Sequence, residues 1–107
     1  MAKLVPKILR LPVSISIDVV DYKMYVEEEP TEVTYNSPNV SLGNDPVDGN
    51  IEKDLADFAS MFPNDANYNL GFTAVDDIGN ESDMVETTSP FDLMAPMAPG
   101  VPIIAAS

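Results

Sequence analysis

Tyr68-Asn69-Leu70-Gly71-Phe72-Thr73-Ala74-Val75-Asp76-Asp77-Ile78-Gly79-Asn80-Glu81-Ser82 is the stretch on which the fold turns. Tyr68, Leu70, Phe72 and Ala74 share one parity; Asn69, Gly71 and Thr73 share the other. That is the period of a strand with one buried side. Asp76-Asp77 and Gly79-Asn80 then supply residues that tolerate the left-handed dihedrals of a reversal. A strand that runs into such a turn needs a partner, expected around Asp83 to Thr88.

Upstream of this stretch, Ile51, Leu55, Phe58 and Phe62 recur at helical spacing, with Asp48 or Asn50 as cap and Pro63 just beyond. The pattern predicts an amphipathic helix over about 51–62. Glu32-Val33-Thr34-Tyr35 and Asn39-Val40-Ser41-Leu42 predict short strands, and Asn44 to Asn50 a loop. Val13-Ser14-Ile15-Ser16-Ile17-Asp18-Val19 alternates and predicts a strand. Val20, Tyr22, Met24 and Val26 alternate as well, but one residue out of phase, so a bulge, bend or tight turn is expected near Asp18 to Val20. Residues 1–12 read as a basic extended arm or first strand, since Pro6 and Pro12 rule out a helix interior.

Downstream, residues 90–107 hold a proline every few positions and no charge after Asp92. They predict an extended, polyproline-like tail. Phe91, Leu93, Met94, Met97, Val101, Ile103 and Ile104 make it apolar, and an apolar tail left in water is an aggregation hazard. It is therefore expected to pack on its own domain or on a neighbour.

The opening stretch resembles strand F and the F–G turn of a fibronectin type III domain. Asp21-Tyr22-Lys23-Met24-Tyr25-Val26 is similar to that family's strand C. Phe62, six residues before Tyr68, stands where the family carries a leucine beneath its tyrosine corner. The resemblance covers Val20 to Thr88 and implies an all-β, immunoglobulin-like sandwich over residues 13–89, with one short inserted helix and extended termini. The family's tryptophan is absent, and only a few residues separate Ile17 from Tyr22. One of the family's strands is then missing, merged, or supplied by something else.

Composition limits the chemistry. At 107 residues the chain is one domain's worth. With 10 prolines against 5 glycines it favours turns and extended segments. There is no cysteine and no histidine, so disulfides, thiolate sites, the usual catalytic triads and zinc centres cannot be built. Carboxylate pairs are the remaining acid–base option, and Asp76 with Asp77, adjacent on a strand, would point to opposite faces. The protein is read as not an enzyme, with no cofactor.

Net charge is −13, with all 18 acidic residues between Asp18 and Asp92 and three of the five basic ones, Lys3, Lys7 and Arg10, in the first ten positions. Such a body repels phosphates and anionic membranes, so neither nucleic acid nor membrane is an expected partner. The asymmetry allows a basic arm to meet an acidic neighbour. Two loops invite a calcium reading. Asn44 to Leu55 partly follows an EF-hand loop, but Pro46 and Leu55 replace a ligand and the bidentate glutamate. No metal is expected; Asp76, Asp77, Asn80, Glu81 and Asp83 are the weak candidates for an irregular calcium site.

The function expected is a non-catalytic structural and protein-interaction module. It would be a subunit of a repeating assembly such as a virus or phage particle or an appendage, binding its own copies or a neighbouring structural protein. The alternative is a spacer or adhesion module of a multidomain bacterial surface or carbohydrate-active protein. If Met1 is the natural start, the expected location is the cytoplasm or a virion; if the chain is part of an exported protein, it is extracellular. The interaction residues expected are Lys3, Lys7, Arg10, Phe91, Leu93, Met94, Met97, Val101, Ile103 and Ile104.

Overall fold

The computed structural model describes residues 8–64, 66–87, 91–92, 99–100 and 102–105, with backbone only at 91–92. Seven strands and one short 3₁₀ helix are present among them: β1 (Ile8–Pro12), β2 (Val19–Glu28), β3 (Asn39–Ser41), β4 (Asn50–Asp54), the 3₁₀ segment (Leu55–Met61), β5 (Asn67–Asp76), β6 (Val85–Glu86) and β7 (Phe91–Asp92). The fold is all-β. β1 and β4 form one sheet; the other has the order β3-β2-β5-β6, with β7 also on β5. Every pairing is antiparallel.

The two sheets enclose one core. β2 contributes Tyr22, Met24 and Val26, β5 contributes Tyr68, Leu70 and Phe72, and β4 with the 3₁₀ segment contributes Ile51 and Leu55. Leu9 and Leu11 of β1 pack against them. Ile51 and Met24 are fully buried, and burying such a side chain stabilises the fold by roughly 1.5–3 kcal/mol. The parity of β5 is therefore as expected on the core side. The other side is also covered. Gly71 and Thr73 are buried, because Met84 and Val33 lie over Gly71 so closely that a Cβ there would collide with Met84 and stand 3.1 Å from Val33 Cγ2.

The phase change between residues 17 and 22 has a local cause. Val19 pairs with Asp76 and Asp21 with Val75, leaving Val20 as an extra, exposed residue. This β-bulge lies where the two alternations conflict. The strand after the turn that begins at Asp76 is β6, inside the expected Asp83 to Thr88. β3 falls within Asn39 to Leu42.

Three expected elements are different. Residues 13–18 are not a strand. Ser14 N–H donates to the Tyr22 hydroxyl and Ser16 N–H to Ser14 Oγ, so side chains satisfy the backbone where no neighbouring strand does. Glu32 to Tyr35 is likewise irregular: Ser37 Oγ accepts from Thr34 N–H, and Thr34 Oγ1 from Asn36 N–H. The helix over 51–62 is replaced by β4 and the 3₁₀ segment. Ile51 and Leu55 point into the same core, but Ile51 does so from a strand paired with Leu11. The cap is Asp54, whose carboxylate accepts Ala56 N–H at 2.9 Å. Asp48 and Gly49, both with positive φ, make the two-residue turn Val47–Asn50 instead.

Ile8–Pro12 pairs with β4, and Phe91–Asp92 pairs with β5. Residues 99–100 and 102–105 have no regular structure and are exposed.

Candidate functional site

At one end of the sheets the β1–β2 connection, residues 13–18, meets the β5–β6 turn. Asp76 builds that turn. Its Oδ1 accepts from Ile78 N–H at 3.1 Å and Asn80 N–H at 2.8 Å, its Oδ2 from Asn80 Nδ2 at 3.1 Å. Gly79 closes the turn at φ 93°, a conformation costly for a residue with a Cβ. Burial pulls the Asp76 carboxyl upward, but the bonds from Asn80, Ile78 and Gly79 outweigh it and hold the group below its ordinary value.

Asp77 does not point away from Asp76. It lies in the turn rather than in the strand, so strand alternation does not govern it, and its carboxylate converges with those of Asp76 and Asp18 to within 4.8 Å. The metal candidates therefore divide. Asp76 and Asp77 converge with Asp18, a residue the sequence reading did not select. Asn80 is spent on Asp76, Asp83 is exposed with its carbonyl accepting from Ser82 Oγ, and Glu81 serves elsewhere. With one oxygen from each, three carboxylates fall short of the six to eight oxygens calcium takes, and both oxygens of Asp76 already accept bonds within the turn, so water would have to supply the remainder. The adjoining hollow, lined by Ser14, Ser16, Asp18, Asp76 and Asn80, is open and about 240 Å³, below the size of a typical small-molecule site.

Glu81 faces β2. Its Oε2 accepts from the hydroxyls of Tyr25 and Thr73, the latter at 2.8 Å, and its Oε1 lies 3.4 Å from Lys23 Nζ. Burial pushes the Tyr25 phenol up, and the hydrogen bond and charge of Glu81 push it further, to about 12. Burial would raise Glu81 too, but Tyr25, Thr73 and Lys23 together hold it below the usual carboxylate range. Tyr35 packs edge-on to Tyr25 and donates to the Ser82 carbonyl at 2.9 Å. The network fastens residues 81–82 to the sheet; its spacing in sequence, from Tyr25 to Glu81, left no local signal.

Around the acidic trio stand bare isoleucines. Ile15 and Ile17 are 100% and 103% exposed and Ile78 80%. Of the interaction residues expected, Arg10 is exposed and donates to Glu52 Oε1 at 2.7 Å on its own β4, so it is engaged within the domain. Ile103 and Ile104 are 90% and 97% exposed. Phe91 pairs through its backbone with Tyr68. Lys3, Lys7, Leu93, Met94, Met97 and Val101 lie outside the described residues. No helix among the described residues is long and apolar enough to cross a membrane.

Compared with known proteins, the chain matches no family model, no curated protein and no solved structure.

Proposed function

We propose that this chain is a non-catalytic structural module that binds protein, as a subunit of a repeating assembly such as a virus or phage particle or an appendage. The observation that carries the reading is the exposure of Ile15, Ile17 and Ile78 at one end of an otherwise acidic body. Isoleucines left bare in loops are costly in water, and a protein surface is the usual cover. The acidic body disfavours nucleic acid and anionic membranes.

Within this reading the domain is fibronectin type III-like. The order β1-β4 facing β3-β2-β5-β6 is what strands B-E and C′-C-F-G would give, with no first strand before β1 among the described residues. Tyr68 supports it as well. Its hydroxyl turns back four residues to Asn64, and Phe62 packs edge-on against its ring at 5.1 Å.

The test is fractionation of the source cells with Ile15→Ser and Ile17→Ser as the paired variant. Wild-type chain should sediment in fixed ratio with a particle or filament, and the double variant should be depleted from it at unchanged melting temperature. Wild-type chain confined to the soluble fraction, or a double variant that sediments equally well, overturns the reading.

A further inference from the structure

Among the described residues no strand pairs with the far side of β1, and the backbone register fixes which groups that edge presents. Val13 N–H donates to the Gly49 carbonyl at 3.1 Å, and β1 pairs with β4 in the same register, Leu11 with Ile51 and Leu9 with Lys53. Backbone groups alternate sides along an antiparallel strand. The odd residues Leu9, Leu11 and Val13 therefore face β4, while Ile8, Arg10 and Pro12 turn theirs outward. Among the described residues nothing takes the outward N–H groups of Ile8 and Arg10. Pro12 has no N–H and ends the usable edge.

β1 is also the least acidic edge of the molecule. Ile8–Pro12 contains Arg10 and no carboxylate, whereas β4 carries Glu52 and Asp54. A second body of charge −13 is repelled from most of this surface. An uncharged segment is not. Residues 93–107 have no charged side chain. Within them Ile103-Ile104-Ala105 follows Pro102 and holds no further proline, so each of the three has an N–H to donate. Ile103 and Ile104 are bare.

We propose that residues 103–105 of one copy add as a short strand to the outward edge of β1 in a second copy. This rests on the reading of the protein as an assembly module and names its partner and contact. Ile8 and Arg10 exchange backbone hydrogen bonds with the incoming strand, and one of the two adjacent isoleucines falls on the side of Leu9 and Leu11. Donor segment and acceptor edge are different surfaces, so the contact is heterologous and propagates head to tail unless the rotation closes a ring. Each junction is short, and its strength in an array comes from repetition.

The test uses the whole chain, by sedimentation across concentration together with amide hydrogen exchange. Association should appear with rising concentration. Ile8 and Arg10 amides should exchange in the monomer and be protected in the oligomer, with Leu9 and Leu11 protected in both. Ile103→Asp with Ile104→Asp should weaken association at least about tenfold, since a carboxylate would be buried without a partner, and leave the melting temperature unchanged. Association that survives this variant, or that protects other edges but not Ile8 and Arg10, overturns the inference while the protein-binding reading stands. Protection of both amides in the dilute monomer also overturns it, because the edge is then covered within one copy. A chain monomeric at all concentrations overturns it too, and the fractionation experiment alone then decides the broader reading.

Discussion

The Tyr25 hydroxyl donates to Glu81 Oε2, joining the middle of β2 to the residue that follows the β5–β6 turn. Neither group keeps its ordinary acidity, and the two depart in opposite directions. Stability should therefore fall at both ends of the pH scale. The folded Tyr25 phenol, at about 12 against 10.0, favours its neutral form. Its contribution is whole below pH 10 and is lost as pH rises towards 12. Glu81 is lowered from 4.5, so its contribution is present above that value and is lost as pH falls through the folded pKa. Urea midpoints across pH should show both limbs. Tyr25→Phe should be less stable at neutral pH and should flatten the alkaline limb between pH 10 and 12; an unchanged alkaline limb would detach Tyr25 from it.

Tyr68 has two separable roles. Its hydroxyl accepts Asn64 N–H at 2.8 Å and donates to the Asn64 carbonyl at 2.7 Å, while its ring is core. Tyr68→Phe should cost about 1–3 kcal/mol, the scale for leaving part-buried backbone groups unpaired. Tyr68→Ala should cost about 3–5 kcal/mol. Denaturant titration separates them, and equal costs would mean that the hydroxyl contributes nothing.

Asp18, Asp76 and Asp77 repel one another, but only Asp76 is needed by the turn. Asp77→Asn should raise the melting temperature at low salt and Asp76→Asn should lower it. Millimolar calcium should shift the wild type by less than Asp77→Asn does, with magnesium as control. A larger calcium shift, abolished by Asp77→Asn, would identify a metal site.

Gly71 is required by space rather than by dihedral. A methyl group there meets Met84 and Val33. Gly71→Ala should cost about 1–3 kcal/mol, the range for overpacking, and pairing it with Met84→Ala should recover part of the loss. A double variant no better than the single one would place the strain elsewhere.

What the sequence disclosed follows from how local each constraint is. Tyr68, Leu70 and Phe72 announce a strand because their two-residue period is set by their own backbone. The bulge at Val20 was legible because a phase error between two alternations needs an extra residue. Ser14 to Ile17 misled because alternation is necessary for a strand but a pairing neighbour is also required, and among the described residues none runs alongside them; the serines bond the backbone locally. Ile51 and Leu55, four residues apart, fit a helix face as well as a strand followed by a tight turn, and Leu11 decides between them from forty positions away. The nearness of Asp18 to Asp76 and Asp77, and the bonds of Glu81 to Tyr25 and Thr73, left no local signal for the same reason. Both depend on which strand end lies beside which turn.

The pairing of β2 with β5 also bears on how the chain reaches this state. Tyr22 lies opposite Ala74 and Val26 opposite Leu70, while β1 pairs with β4. Neither central ladder is a hairpin between consecutive strands, so the chain must close long loops before either yields a hydrogen bond or a buried ring. Topologies of this kind fold in roughly milliseconds to seconds rather than microseconds. During synthesis β2 leaves the ribosome well before β5, and Tyr22, Met24 and Val26 wait uncovered until Tyr68, Leu70 and Phe72 arrive.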